Sequence, residues 1–276
     1  MINNLLLVAY LDIKESIRAK WFFVYSVIFG GLIALFFITG VTQSVVMGFS
    51  GLSRLLLIYI QVSIVILPIF ILITTVRSIS GDRESHILEY MLSFPVSLTS
   101  YYWGKMLGRF ATVFLPVIIA MLIGVVWGVL KAASVPWDIL LLYSAMLFAL
   151  TWVFLGIAFC ISTLVKSPDI ALGVSFFVWI FLLAFLDILL IGFMIQSNLN
   201  EEIIVLTALI NPLELFRIAA ISLFDPELTV IGPTAYYILD AFGRTLFIIF
   251  SIVYPLILGT IFAGCGYWLF RKKDLL

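Results

Sequence analysis

The sequence predicts an all-α integral membrane protein: six transmembrane helices, an N-terminal helix on the membrane surface and a short polar helix between the second and third spans. Three observations carry this expectation. The 276 residues are 64% hydrophobic and only 11% charged, with a mean hydropathy of +1.26. A soluble domain runs at about 45–50% apolar and about 25% charged, so this chain has nowhere in water to put its apolar surface. Apolar runs of spanning length recur along it, at about 21–40, 55–77, 107–130, 138–164, 170–195 and 245–270. A helix needs about 20 such residues to cross a bilayer. The polar stretch GDRESHILEYMLSFP at 81–95 stands between two of the runs.

Residues 1–20 form the first element, an interfacial helix. Leu6, Tyr10, Ile13 and Ile17 recur on one helical face, while Asp12, Lys14, Glu15 and Arg18 lie elsewhere. The alternative is a plain polar tail. Trp21 and Phe22 then stand where an aromatic belt marks entry into the membrane. Charged residues precede the first run and no small-residue cleavage site follows it, so that run is expected to stay as an anchor.

Residues 21–270 form the transmembrane domain. All its spans are expected to be helices, because lipid leaves open strands unsatisfied. Lys166-Ser167-Pro168-Asp169 reads as a tight turn between the fourth and fifth spans. Proline there ends one helix, and Asp169 is placed to cap the next. Within the loop after the second span, residues 82–94 read as one short amphipathic helix capped by Ser80 or Asp82. Glu84 lies in its first turn, Leu88, Met91 and Leu92 share a face, and Pro95 ends it. Asn211-Pro212, Asp225-Pro226 and Gly232-Pro233 break the long segment 196–244. Its apolar piece 213–224 is too short to span and reads as a helix on the outer ends of the bundle or as a re-entrant segment. Residues 271–276 are a tail.

The basic residues orient the chain. With the N-terminus inside, eleven lie on the inner side: Lys14, Arg18, Lys20, Arg77, Arg83, Lys105, Arg109, Lys166, Arg271, Lys272 and Lys273. Four lie outside: Arg54, Lys131, Arg217 and Arg244. Both termini are therefore expected in the cytoplasm, with the chain in the cell (inner) membrane.

Little in the sequence points to chemistry in this chain, and neither a catalytic nor a metal site is expected. Lys105 follows Gly104 but Met106 follows Lys105, so no phosphate-cradling G-x-x-x-x-G-K-[ST] is present, and neither G-x-S-x-G nor H-E-x-x-H occurs. His86, the one histidine, has no second histidine or cysteine near it in sequence. The seven methionines form no M-x-x-M, and Cys160 and Cys265 lie singly in apolar runs, where cysteine usually packs as a small apolar residue. The zero net charge suggests no nucleic-acid partner. Asp187 is the exception. A carboxylate in mid-span is costly, so it either lines a cargo path or gates it, or forms a structural bond to a neighbouring helix.

A family resemblance rests on Glu84-Ser-His-Ile-Leu-Glu-Tyr-Met-Leu-Ser-Phe-Pro-Val-Ser, followed by Gly104-Lys105. It resembles the signature of the membrane subunits of ABC-2-type transporters, with His86-Ile87 in place of the family's usual small Gly-Thr pair and Leu98 where a basic residue is frequent. Asn211-Pro-Leu-Glu-Leu-Phe-Arg217, Phe185-Leu-Asp187 and the Leu-Phe-Arg-Lys-Lys ending are similar to its NosY branch, which serves nitrous-oxide reductase maturation. The resemblance implies an ABC-2-type (type V) exporter fold and a homodimer. It makes 82–94 a coupling helix that docks on a cytoplasmic ABC ATPase (NosF-like) through Asp82, Arg83, Glu84, His86, Leu88, Glu89 and Leu92. ATP and magnesium would be held by that ATPase, with no cofactor in this chain. Asn211, Pro212, Glu214 and Arg217 would serve docking of a periplasmic β-helical protein (NosD-like). The cargo would be a sulfur species or copper. Other readings are an ABC-2 exporter of lipid, drug or peptide, a secondary transporter, which should show paired broken helices or an inverted repeat, and a scaffold that transports nothing.

Overall fold

The computed structural model describes residues 2–20, 23–24, 26–28, 30–31, 52–130, 137–186, 188, 201–224, 239–240 and 242–273. Among them the chain is helical, without a strand. Helix α1 is Ile2–Arg18, α2 Leu52–Thr75, α3 Arg77–Glu84, α4 Ile87–Leu92 and α5 Leu98–Leu130. Then follow α6 Trp137–Leu164, α7 Pro168–Ile180, α8 Glu201–Ile210, α9 Pro212–Phe224 and α10 Arg244–Lys273. Among the described residues five stretches are long and apolar enough to cross a membrane: Tyr59–Glu84, Leu98–Trp127, Trp137–Leu164, Pro168–Phe185 and Arg244–Lys272. The predicted run 21–40 falls largely outside the described residues, as does Asp187.

Helix α6 is the axis of the bundle. It is apolar on every side, which is the pattern of an enclosed helix, and Val153, Phe154, Leu155, Ala158 and Phe159 are all buried. Its principal neighbour is α10. Gly156 and Gly259 let the two backbones touch: a Cβ on Gly259 would lie 2.7 Å from Val153 Cα. Helix α7 is largely exposed, as expected of a face turned to lipid.

Three boundaries differ from the sequence expectation. The third span begins at Leu98 rather than 107, because Ser97 caps the helix, its Oγ accepting from Ser100 N at 3.2 Å. The polar residues of that first stretch find partners inside the protein. In the turn before α7, Ser167 takes the N-cap position without a side-chain capping bond, and Pro168 opens the helix. Asp169 does not cap; its Oδ1 accepts from Arg77 Nη2 at 2.8 Å. The expected single helix 82–94 is two pieces. Residues 82–84 finish α3, and the chain turns at His86 before α4 starts.

The bundle has a charged end, with α1, α3, α4, the start of α5 and the end of α10. The opposite end carries α9, which touches α2, α6 and α10. Helix α9 is the apolar piece expected at 213–224. Leu215, Phe216, Ile218, Ala219 and Ala220 are buried, and Phe216 meets Tyr143 of α6 at 5.9 Å.

Candidate functional site

The charged end is assembled from α3 outward. A break at Val76 separates α3 from α2, and a new helix start leaves N–H groups without partners. Ser162 Oγ of α6 accepts from Ile79 N at 2.9 Å and Ser80 N at 3.0 Å. Arg83 reverses the arrangement, donating from Nη1 to Thr163 O near the end of α6 at 3.1 Å, with its guanidinium 5.8 Å from the centre of the Phe270 ring. Helix α3 is thereby fastened to α6 and α10.

The chain then reverses. His86 lies in the left-handed region, φ 57°, ψ 13°, a conformation that costs a non-glycine residue roughly 1–2 kcal/mol. Its N–H donates to Arg83 O at 3.2 Å, and its Nδ1 lies 3.1 Å from Glu89 Oε2. Leu88 is buried and anchors α4, while Met91 and Leu92 are half-buried. Asn4 Nδ2 of α1 holds the following turn by donating to Pro95 O at 2.8 Å.

Behind this segment lies a buried charge network that sequence reasoning missed. Asp82 accepts from both Lys105 Nζ and Tyr101 OH of α5, and Lys105 also donates to Ser78 O at 2.9 Å. One turn on, Arg109 Nε meets Asp12 Oδ2 of α1 at 3.2 Å. Buried charges persist only when paired in this way. Burial raises the Asp12 carboxyl above its ordinary value, against the opposing pull of Arg109 and Lys105; Glu15 and Asp82 add to the rise. Gly104 and Gly108 make the approach of α1 feasible. A Cβ on Gly104 would lie 2.7 Å from Leu5 O, and one on Gly108 2.8 Å from Ala9 O. The Gly-x-x-x-Gly spacing and the Lys105/Arg109 spacing were the available signals. Neither says which partner would come.

The residues predicted for coupling therefore separate by role. Glu84, His86 and Glu89 face outward; Asp82, Arg83 and Leu88 brace from behind, with Leu92 half-buried between them. The outward surface also holds Ile87, Tyr90 and Phe94, which are 46%, 65% and 47% exposed. Tyr90 and Phe94 pack edge to face at 5.2 Å. Glu84 and Glu89 flank these aromatic residues on the same exposed surface.

At the opposite end the residues expected to dock a periplasmic partner pack largely within this chain. Asn211, Pro212 and Glu214 are buried, and Arg217 is half-buried with Nη2 donating to Glu214 Oε1 at 2.7 Å. Asn211 Oδ1 accepts from Leu213 N at 3.0 Å, and its Nδ2 donates to Leu182 O at 2.8 Å. Leu182 belongs to a π-helical turn, Phe181–Phe185, that follows α7. These residues build the α8–α9 corner and hold it against that turn.

A helical bundle with five candidate spans among the described residues is the architecture of a polytopic membrane protein. The comparisons make this specific. The family described as "ABC-2 family transporter protein" matches residues 6–275, and the chain belongs to that family. It is 23% identical over 239 residues to the "Probable ABC transporter permease protein NosY" of Stutzerimonas stutzeri, covering 83% of this chain and 86% of that one. The protein so described from Pseudomonas aeruginosa is 23% identical over 226 residues, covering 79% and 82%. Membership makes the chain a multi-pass permease subunit and implies an ATPase partner.

Proposed function

We propose that the chain is the NosY-like permease of a transporter for nitrous-oxide reductase copper-site maturation, moving a sulfur species or a copper-related cargo. Two copies pair in the cell membrane with both termini in the cytoplasm. A cytoplasmic ABC ATPase (NosF-like) binds ATP and magnesium, and a periplasmic β-helical protein (NosD-like) receives or supplies cargo. The likeness to two NosY permeases over about four-fifths of the chain supports the cargo assignment.

The observation that carries the coupling role is the platform of Glu84, Ile87, Glu89, Tyr90 and Phe94 on its buried ionic base. A groove on the ATPase takes the aromatic pair. When two ATPases close on ATP, the platform moves. Its base is fastened to α5 through Asp82–Lys105 and to α6 through Arg83, so the displacement tilts whole spans rather than the loop alone.

The test is affinity purification from detergent-solubilised membranes of a strain carrying the partner genes. The intact chain is expected to bring ATPase activity with it. A Tyr90→Ser/Phe94→Ser variant, altered only on the exposed surface, is expected to purify folded without it. An unchanged ATPase yield removes the platform from the coupling role. The cargo is tested separately, by co-expressing nitrous-oxide reductase with and without the permease. Loss of its copper–sulfur cluster absorption without the permease supports the assignment; unchanged absorption leaves the chain an ABC-2 exporter of another cargo.

A further inference from the structure

A cavity of about 340 Å³ lies between α1, the α3–α4 segment and the start of α5. Its volume is within the roughly 300–1,000 Å³ of small-molecule sites. Three acids and three bases line it: Asp12, Glu15 and Asp82 against Lys14, Arg18 and Lys105. The lining is neutral overall yet divided. On α1, Asp12 and Glu15 are three residues apart and share a face, as do Lys14 and Arg18 at four. One wall thus offers carboxylates and the rim offers cations.

Asp12 is the most telling group. It is 2% exposed, and although Arg109 lies against Oδ2, Oδ1 is buried with no hydrogen-bond donor among the described residues. A buried acceptor left in that state is costly and asks for a donor. Leu11, Ile87 and Met91 give the same cavity an apolar side. Leu11 is itself 42% exposed and continues into Leu7 one turn earlier, also exposed. The occupant that fits is an amphiphile with a compact zwitterionic head and an apolar body.

We infer that this cavity binds the head group of a phospholipid carrying a primary ammonium, with the ammonium toward Asp12 and Glu15, the phosphate toward Lys14 and Arg18, and the acyl chains along Leu7 and Leu11. An ammonium brings three donors, one of which satisfies Asp12 Oδ1. A trimethylammonium head brings none and is bulkier. A glycerol phosphate head meets Lys14 and Arg18 and has hydroxyl donors, but it brings no positive charge to set against Asp12 and Glu15. The inference does not depend on the identity of the cargo.

The experiment is native mass spectrometry of the full chain in detergent, titrated with phosphatidylethanolamine, phosphatidylcholine or phosphatidylglycerol of identical acyl chains. Phosphatidylethanolamine is expected to be retained about tenfold more tightly than either, the size of a charge-assisted hydrogen bond gained or lost. Glu15→Gln and Arg18→Gln alter exposed side chains and leave the fold intact, which circular dichroism checks; each is expected to remove most of that preference. Equal retention of the three lipids overturns the inference, as does an unchanged preference in both variants. Free O-phosphoethanolamine at the same concentration is expected not to displace the lipid. Displacement by it overturns the lipid assignment in favour of a soluble zwitterion.

Discussion

At the scale of single residues, the charged end depends on two ion pairs taken out of water. Lys105 and Asp82 are both buried, and each has a second contact to protein, Ser78 O for the ammonium and Tyr101 OH for the carboxylate. Removing one member leaves the other buried without its counter-charge, which costs about 3–5 kcal/mol where such pairs have been broken. Lys105→Met is therefore expected to lower the thermal unfolding midpoint in detergent sharply. The double variant Lys105→Met/Asp82→Leu is expected to recover most of the loss, since apolar replacement of a whole buried pair is often near neutral. Equal destabilisation by single and double variants would show that the pair carries no such penalty. Asp12 gives a pH dependence of known sign. Burial raises its folded-state value, so its protonated form is favoured when α1 is docked. Its contribution to docking is full below the ordinary carboxylate value and is lost as pH rises through the raised one. Hydrogen exchange in residues 8–16, corrected for intrinsic rates, should report weaker protection as pH rises through that window. Asp12→Asn should flatten the profile.

At the scale of elements, the same region shows what the sequence makes legible and what it hides. Helices α6 and α10 fall within a few residues of their predicted runs, because apolar composition over that length leaves no other structure in lipid. Helix α5 is extended by nine residues at its start, since hydropathy counts Tyr101 and Lys105 as polar without knowing that Asp82 awaits them. The split of 82–94 is hidden for a related reason. Nothing local distinguishes Asp82 as the last turn of α3 from Asp82 as a cap; its partner on α5, 23 residues away, decides it. Asn211 and Glu214 look like a surface motif and are interior for the same kind of reason: Leu182 and Arg217 take their polar atoms. The α1–α5 contact makes a prediction at this scale. Gly108→Val places a branched side chain where a Cβ alone meets Ala9 O and Asp12. Overpacking of this kind costs about 1–3 kcal/mol, and here it falls on docking of one helix. Protection of α1 should collapse while the α6 amides remain slow to exchange. Loss of protection in both at once would mean that α1 is part of the main cooperative unit.

At the scale of the whole molecule, the two ends of the bundle constrain the topology. Helix α1 stays at the charged end throughout: Asn4 bonds to the turn at Pro95, and Arg18 lines the same cavity as Met91. Helix α2 arrives at that end through Thr75 and α3. Its 24 residues rise about 36 Å, more than the roughly 30 Å hydrocarbon thickness, so Leu52 belongs to the other end. Residues 20 and 52 are thus attached to opposite ends of the bundle. The apolar run 21–40 has the length of one crossing, so the prediction is six crossings with both termini on one side. The expected outcome is a division of labelling by a membrane-impermeant maleimide in intact cells, in a background with Cys160→Ala and Cys265→Ala. Cysteines at Ser44, Ser134 and Thr229 should react from outside. Those at Lys14, Ser85 and Lys166 should react only after permeabilisation. Reaction at Lys14 from outside, together with Ser44, would leave five crossings and place the N-terminal helix on the wrong side of the membrane to meet α5, a contact that Asp12–Arg109 and Asn4–Pro95 require. The labelling result and the buried ion pair therefore test each other: only an even number of crossings lets the chain's first helix brace the segment between its second and third spans.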